Sequence, residues 1–325
     1  MRFWFARVVL TGVLGSLLTA GSALAQVDAA AQVLQRIQEA ARTLDYEGVF
    51  AYQQNGQMQS FRITHRFDGV NEDERLEVLD NAQREFFRHN DAVRCLIPDR
   101  KTVLIEPKRQ ARFPALLMSD PVEFSLYYDM RRSEDPGRVA GRSCVKLDIV
   151  PKDDLRPQFR LCADEKTGLL LKAQVLEASG RVSQQVAFTL VQIGQSIDDS
   201  VFVPPWNTDD WKVINREHIA IDLDSLGWKY TVPSGYKVSQ QARRIFQDGR
   251  EVDQIILTDG LASISIFIEP YQENLSQHHS AGPRHMGSVN LFGKRVEDSW
   301  VMIVGEVPAV TIQIVADSIS RTARQ

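Results

Sequence analysis

Two cysteines, Cys144 and Cys162, have the spacing from which chemistry is most readily inferred. They end the segment CVKLDIVPKDDLRPQFRLC, in which two strand-like arms flank a polar turn. Folding this hairpin about Asp153 places Cys144 directly opposite Cys162, and opposed residues of antiparallel strands have Cβ atoms about 4.5–5.5 Å apart. A disulfide requires roughly 3.5–4.5 Å. The spacing therefore predicts a Cys144–Cys162 disulfide and leaves Cys95 as a free thiol, with three reduced and packed cysteines as the alternative.

The histidines of the stretch His278, His279 and His285 are the remaining candidates for metal chemistry. Their spacing could seat a metal ion, but the cysteine or carboxylate neighbours of a typical site are missing, so we expect a solvated loop. The sequence contains no G-x-S-x-G, H-E-x-x-H, G-x-G-x-x-G or Walker A pattern. It therefore predicts no catalytic residues, no metal and no cofactor, and it favours a binding protein over an enzyme.

The first 25 residues have the pattern of a secretory signal peptide. Arg2 and Arg7 precede a short apolar run, and Ala23-Leu24-Ala25 is a typical cleavage site. Export to the periplasm would permit the disulfide. Removing residues 1–25 changes the formal net charge from −4 to −6, and a mildly acidic chain without a basic stripe predicts no nucleic-acid partner.

Residues 26–200 are expected to form the first and larger domain. Asp28 begins a helix that runs to about Leu44, and a series of strands separated by short turns follows. Asn55-Gly56 is the strongest of these turn signals. The pattern predicts an α+β fold in which a large, curved antiparallel sheet encloses helices as a half-open barrel.

A linker and a smaller domain are expected to complete the chain. Residues 201–226 contain the proline, aspartate and asparagine typical of a linker. In residues 227–325, strands flank the turn Asp259-Gly260, and a final helix begins near Pro308. This part predicts a small antiparallel sheet covered by one helix.

An apolar insert interrupts the first series of strands, and it is the candidate lipid site. Its side chains either fill the curved sheet as core or border a cavity for an apolar ligand, two interpretations that are compatible if the cavity is partly filled. The residues assigned to lipid binding are Phe113, Leu116, Leu117, Met118, Phe124 and Tyr127.

The order of the elements and several short strings together resemble the RseB/MucB family, in particular its pseudomonad members. The strings are LDYEG at 44–48, RVAGR at 138–142, DEKTGLLL at 164–171, and DGLAS at 259–263 with Phe267. The resemblance covers essentially the whole chain after the signal peptide. It implies a first domain similar to the lipoprotein carriers LolA and LolB.

The resemblance also implies a function. A member of this family binds the periplasmic domain of a membrane anti-sigma factor of the RseA or MucA type, shields it from proteolysis, and releases it when a lipid or lipopolysaccharide fragment binds. We predict that Asp259, Leu261, Ser263 and Phe267 contact this partner. A periplasmic lipid or lipoprotein carrier is the alternative function, and the same surfaces could also pair two copies of the chain as a homo-oligomer.

Overall fold

The computed structural model of the chain describes residues 19–106, 121–215, 218–246, 249–273 and 281–322. In these ranges most strands belong to two large sheets, and a helix packs on each of them. The fold is α+β, with a large curved antiparallel sheet followed by a smaller sheet, as the sequence predicts. Within the described residues, no helix has both the length and the apolarity needed to cross a membrane.

Helix α1 spans Thr19–Thr43 and is longer at its N-terminal end than the sequence predicts. The extension covers the alanine-rich residues around the expected cleavage site, and alanine is the strongest helix former. Val33, Leu34 and Ile37 are buried, at the spacing of one helix face. This face packs on the first sheet, which curves around it.

The first sheet is a meander with β1 at its centre. Its strands in chain order are β1 (Tyr46–Gln54), β2 (Gln57–Phe67), β3 (Glu72–Val78), β4 (Glu85–His89), β5 (Ala92–Ile97), β6 (Thr102–Glu106), β7 (Tyr128–Arg132), β8 (Gly137–Val139), β9 (Arg142–Pro151), β10 (Gln158–Asp164), β11 (Leu170–Leu176), β12 (Val182–Ile193) and β13 (Lys212–Asn215). The sheet runs from β1 through β2–β6 on one side and through β12, β11, β10 and β9 on the other. Asn55 and Gly56 have φ values of 54° and 75°, which the tight β1–β2 hairpin requires.

The described part of the apolar insert begins with a short helix. Helix α2 spans only Pro121–Tyr127, and the chain continues directly as strand β7, which pairs with β9. Tyr128 and Met130 are buried and alternate with exposed Asp129. This alternation is the period of a strand with one buried face. The insert therefore returns to the sheet within a few residues.

The described part of the predicted linker contains a strand and packs on the first sheet. Strand β13 adds to β6 in parallel, a pairing that the sequence did not predict. On the opposite face of the sheet from α1, Trp206 and Trp211 pack against the buried residues Phe87 and Val103. The next described strand, His218–Ala220, belongs to the second sheet.

The strands of the second sheet are β14 (His218–Ala220), β16 (Lys237–Ile245), β17 (Glu251–Thr258), β18 (Ser263–Pro270), β19 (Gly282–Met286), β20 (Val289–Val296) and β21 (Ser299–Gly305), and a separate pair is formed by β15 (Trp228–Lys229) and β22 (Ser320–Arg321). The order across the second sheet is β14-β16-β17-β18-β21-β20-β19. Helix α3 (Ala309–Ser318) covers β20 and β21. It buries Ile312 and Val315.

The predicted disulfide between Cys144 and Cys162 is present, and Cys95 is a buried cysteine outside this bridge. The predicted register is wrong, because Cys144 lies opposite Asp164 and Cys162 lies opposite Lys146. The two cysteines are therefore diagonal neighbours, with a Cα–Cα distance of 5.4 Å. Every pair of β9 and β10 is symmetric about Asp154 and not about Asp153, and the twist of the strand pair brings this diagonal together.

Strand β8 crosses the disulfide at Gly137. A Cβ atom at this position would lie 2.6 Å from the Cys162 sulfur and 2.8 Å from the Cys144 sulfur. Glycine is therefore required where β8 passes over the bridge. The disulfide joins β9 and β10, the strands whose connecting turn reaches the second sheet.

Replacing both Cys144 and Cys162 by alanine should lower the free energy of unfolding by about 3 kcal/mol, because the bridge restricts the unfolded chain over a separation of 18 residues. Urea denaturation without reductant measures the difference. Adding reductant should destabilise the wild-type chain but not the double variant. Equal stability of the oxidised wild type and the double variant would contradict this account.

Candidate functional site

The two large sheets share a continuous hydrophobic core. Leu34 of α1, Leu147 and Leu161 of the first sheet, and Ile255 and Ile303 of the second sheet are all fully buried members of one cluster. Separating the sheets would expose this apolar surface to water. The junction between them is therefore part of the folded structure, and we examine it as the candidate site.

A buried arginine crosses this junction. Arg156 lies in the turn between β9 and β10, and its side chain is fully buried. Its Nη1 donates to Asp259 Oδ2 over 3.2 Å, and its Nη2 donates to the backbone oxygen of Ser234 over 2.5 Å, both beside the second sheet. Its Nε donates to Asp153 Oδ1 over 3.0 Å within its own turn. The guanidinium thus joins the two parts of the chain.

Three tyrosine rings surround the guanidinium. The Arg156 Cζ lies 4.7 Å from the ring centre of Tyr127, 5.4 Å from that of Tyr128 and 5.2 Å from that of Tyr236. Such contacts are favourable, and more so away from water. Burial alone would lower the pKa of Arg156, but the hydrogen bond to Asp153 and the attraction of Asp259 outweigh it, and the pKa is raised.

Asp259 is the acceptor that closes this cluster. Its Oδ2 also accepts from the Tyr128 hydroxyl over 2.8 Å, and its Oδ1 accepts from the backbone N–H groups of Leu261 and Ala262. Burial, and then the negative charge of Asp259, raises the pKa of Tyr128, so this hydroxyl stays protonated as a donor. Every polar atom of the carboxylate is therefore used.

The backbone around the cluster is equally constrained. A Cβ atom on Gly235 would lie 2.9 Å from the Arg156 guanidinium nitrogens and from the Tyr127 ring, and the φ of Gly235 is 78°. The backbone oxygen of Leu155 accepts from Tyr236 over 3.1 Å and from Thr311 of α3 over 2.7 Å. The β9–β10 turn is thus held by several elements of the second domain.

A second polar contact joins the β1–β2 hairpin to the second sheet. Gln54 Nε2 donates to Glu306 Oε1 over 2.6 Å and to Ser288 Oγ over 2.9 Å. Asn55 Oδ1 accepts from the backbone N–H of Ser288 over 3.0 Å. The turn at Gly287 leaves no room for a Cβ atom beside Asn55.

A cavity of about 360 Å³ lies between these contacts. Phe159 and Val175 of the first sheet form one side, and Ser265 and Val304 of the second sheet lie on the other. Glu306 is the acidic residue of its lining. This volume is in the range of ligand-binding pockets.

The residues predicted to contact a partner lie at this junction or beside it. Asp259 is buried and forms part of the arginine cluster, whereas Leu261 and Ser263 line the cavity. Phe267 lies further along β18, is half-buried, and is opposite Met302 of β21. The structure brings three of the four together, and contact with a partner stays a prediction for all of them.

Of the six residues predicted to bind lipid, the structure describes only Phe124 and Tyr127. Phe113 and Leu116–Met118 lie outside the described residues. Phe124 is 2% exposed and packs against Tyr128 in the shared core, and Tyr127 covers the Arg156 guanidinium. Lipid binding by these residues stays a prediction.

Several residues of the junction were missed from the sequence. Arg156 lies in a turn whose composition, PKDDLRP, is typical of a solvent-exposed loop. Tyr236 and Glu306 have no local motif. The proximity of Asp153 and Asp154 to Arg156 was the one available signal, and it also fits a surface salt bridge. In the described residues, no group of three potential ligands could hold a metal ion, and His285 lies on strand β19.

Comparison with known proteins relates both parts of the chain to one family. Residues 29–206 match the MucB/RseB N-terminal domain, and residues 222–320 match the MucB/RseB C-terminal domain. The sigma factor AlgU regulatory protein MucB of Pseudomonas aeruginosa is 29% identical over 94% of this chain and 95% of its own length.

Solved structures give the same relation. The complex of Pseudomonas aeruginosa MucA and MucB matches with a TM-score of 0.71 and 27% identity, over 91% of this chain and 100% of that chain. A crystal structure of MucB with MucA(peri) matches at the same identity and coverage, with a TM-score of 0.69. The likeness thus extends over both sheets.

Replacing Arg156 by methionine should destabilise the chain by about 3 kcal/mol or more, because Asp259 would remain buried without its cationic partner. Urea denaturation measures this loss. The matched control is Arg160→Met, which removes an exposed pair with Asp148 and should cost less than about 1 kcal/mol.

A double variant separates the effect of the buried charge on stability from the effect of lost packing. In Arg156→Met/Asp259→Asn the buried charge is removed together with the arginine, so part of the lost stability should return. A double variant as unstable as the sum of the two single variants would contradict a direct coupling between these residues.

Proposed function

The chain belongs to the MucB/RseB family, and we propose that it is a periplasmic regulator that binds the periplasmic domain of a membrane anti-sigma factor of the MucA type. The family consists of regulatory binding proteins and not of enzymes. The observation that carries the proposal is the match, over 91% of this chain, to MucB solved together with MucA(peri). The predicted signal peptide and the disulfide support a periplasmic location.

The second sheet offers a surface for this partner beside the junction. On β18, Ile264, Ile266 and Ile268 are buried in the shared core, so Ser263, Ser265 and Phe267 point to the opposite face. Phe267 and Met302 are opposed and half-buried there, as are Ser265 and Val304. We call Ser265, Phe267, Met302 and Val304 the apolar strip, and we assign the anti-sigma segment to it.

Shielding would follow from occupation of this strip. A protease must draw an extended segment of its substrate into its own active site, and a segment held against a sheet is not available for that. The anti-sigma factor would then remain intact and would keep the sigma factor inactive. Release of the segment would restore cleavage.

A lipid or lipopolysaccharide fragment is the proposed signal for release. On the same face of the first sheet as the buried Phe50 and Ile63, the side chains of Phe61 and Leu76 are only half-buried. The proposed lipid site combines this apolar surface with the residues predicted from the sequence, which are Phe113, Leu116, Leu117, Met118, Phe124 and Tyr127. The two ligands must affect one another equally if each prefers a different arrangement of the sheets.

Replacing Phe267 by aspartate should weaken binding of a purified periplasmic domain of a MucA-type anti-sigma factor at least tenfold, because a charge would enter the apolar strip. Calorimetric titration measures the affinity, and a melting curve confirms that the variant is folded. Ile219→Asp, at an exposed position on edge strand β14, is the control and should bind normally. A folded Phe267→Asp variant with unchanged affinity would show that the segment binds elsewhere.

Titrating a short-chain lipopolysaccharide fragment into the complex should lower the affinity for the same anti-sigma domain. The expected effect is a rise in its dissociation constant that levels off once the lipid site is full, as linkage requires. A domain with the same affinity at saturating lipid would refute the switch while leaving partner binding intact.

A further inference from the structure

The cavity between the two sheets has a mostly apolar wall that contains a carboxylate, that of Glu306. Most of its wall is apolar or small, with Phe159, Val175, Leu261 and Val304 among the lining residues. Among the described residues that line it, no lysine, arginine or histidine is present. The negative charge of Glu306 is therefore not balanced by a cation in the wall.

Glu306 is half-buried, and among the described residues Gln54 is the side chain that hydrogen-bonds to its carboxylate. Its Oε1 accepts from Gln54 Nε2 over 2.6 Å, and that nitrogen also donates to Ser288. Burial raises the pKa of Glu306, and the hydrogen bond from Gln54 only partly offsets this effect. An ionised carboxylate in such a place is stabilised by a further donor, and most strongly by a cation.

We propose that this cavity binds a short aliphatic chain that ends in an ammonium group, with the ammonium at Glu306 and the methylene groups against Phe159, Val175 and Val304. An anionic ligand would be repelled by Glu306, and a fully apolar ligand would leave the carboxylate desolvated without compensation. The chemistry fits a lysine side chain presented by a protein, and it fits a free alkylamine equally.

The size of the cavity supports a ligand of this kind. About 360 Å³ is near the lower end of the range for small-molecule sites. An unbranched chain of four to six carbons is small enough for this volume. Each added methylene that enters the cavity should improve affinity roughly three- to fourfold.

The test uses the full mature chain and three probes that differ only in their end group, which are hexylammonium, 1-hexanol and hexanoate. Calorimetric titration near neutral pH should show that hexylammonium binds at least tenfold more tightly than hexanol, and that hexanoate binds most weakly. Equal affinity for the amine and the alcohol would overturn the proposal.

Two variants identify the site. Glu306→Gln should remove the preference for the amine over the alcohol. The control is Glu269→Gln on β18, which alters the ion pair between Glu269 and Arg250 and should keep that preference. Ser265→Phe should fill the cavity and abolish binding of both probes, with a melting curve to confirm folding. A preference that survives in Glu306→Gln, or binding that survives in folded Ser265→Phe, would overturn the assignment.

A last pair of probes distinguishes the two sources of the ammonium group. Nα-acetyl-lysine amide and hexylammonium are compared on the wild-type chain. If both bind in a Glu306-dependent way, the cavity accepts a side chain of a protein partner. If only hexylammonium binds in a Glu306-dependent way, the ligand is a free amine. Either result supports an ammonium site at Glu306.

Discussion

The burial of the Arg156 guanidinium is the constraint on which the arrangement of the two sheets depends. An isolated charge in a protein interior is very unfavourable, so it must have charged and hydrogen-bonding partners. Asp153 supplies one from the same turn, and Asp259 and Ser234 supply others from beside the second sheet. Because these partners come from different parts of the chain, they are satisfied together only in one relative position of the sheets.

The surfaces that we assign to ligands follow from this position. The cavity exists only while Phe159 of β10 faces Val304 of β21. The apolar strip continues from that cavity along β18. The affinity for a segment bound there would therefore also depend on the relative position of the two sheets. The disulfide stabilises the same geometry, because it joins β9 and β10, the two strands whose connecting turn carries Arg156. A ligand that favours another position of the sheets would have to break the arginine cluster.

Local chemistry explains what the sequence could predict. The turns at Asn55-Gly56 and Asp259-Gly260 are set by residues that tolerate positive φ, and helix α1 follows from its apolar period. The disulfide was predictable from spacing, but the register of its strands was not, because a shift of the turn centre from Asp153 to Asp154 changes every pair of β9 and β10. Arg156 and Glu306 could not be found, since their roles depend on partners that are distant along the chain. The parallel pairing of β13 with β6 is non-local for the same reason.

The most direct test of the account is the distance between the sheets in solution. Spin labels at the exposed residues Ser179 and Ala309 would report it by pulsed electron paramagnetic resonance, with and without a lipopolysaccharide fragment. The account predicts one narrow distance distribution for the free chain and a second distribution at saturating lipid. If lipid releases the anti-sigma domain while the distribution stays unchanged, the two ligands are not coupled through the arrangement of the sheets.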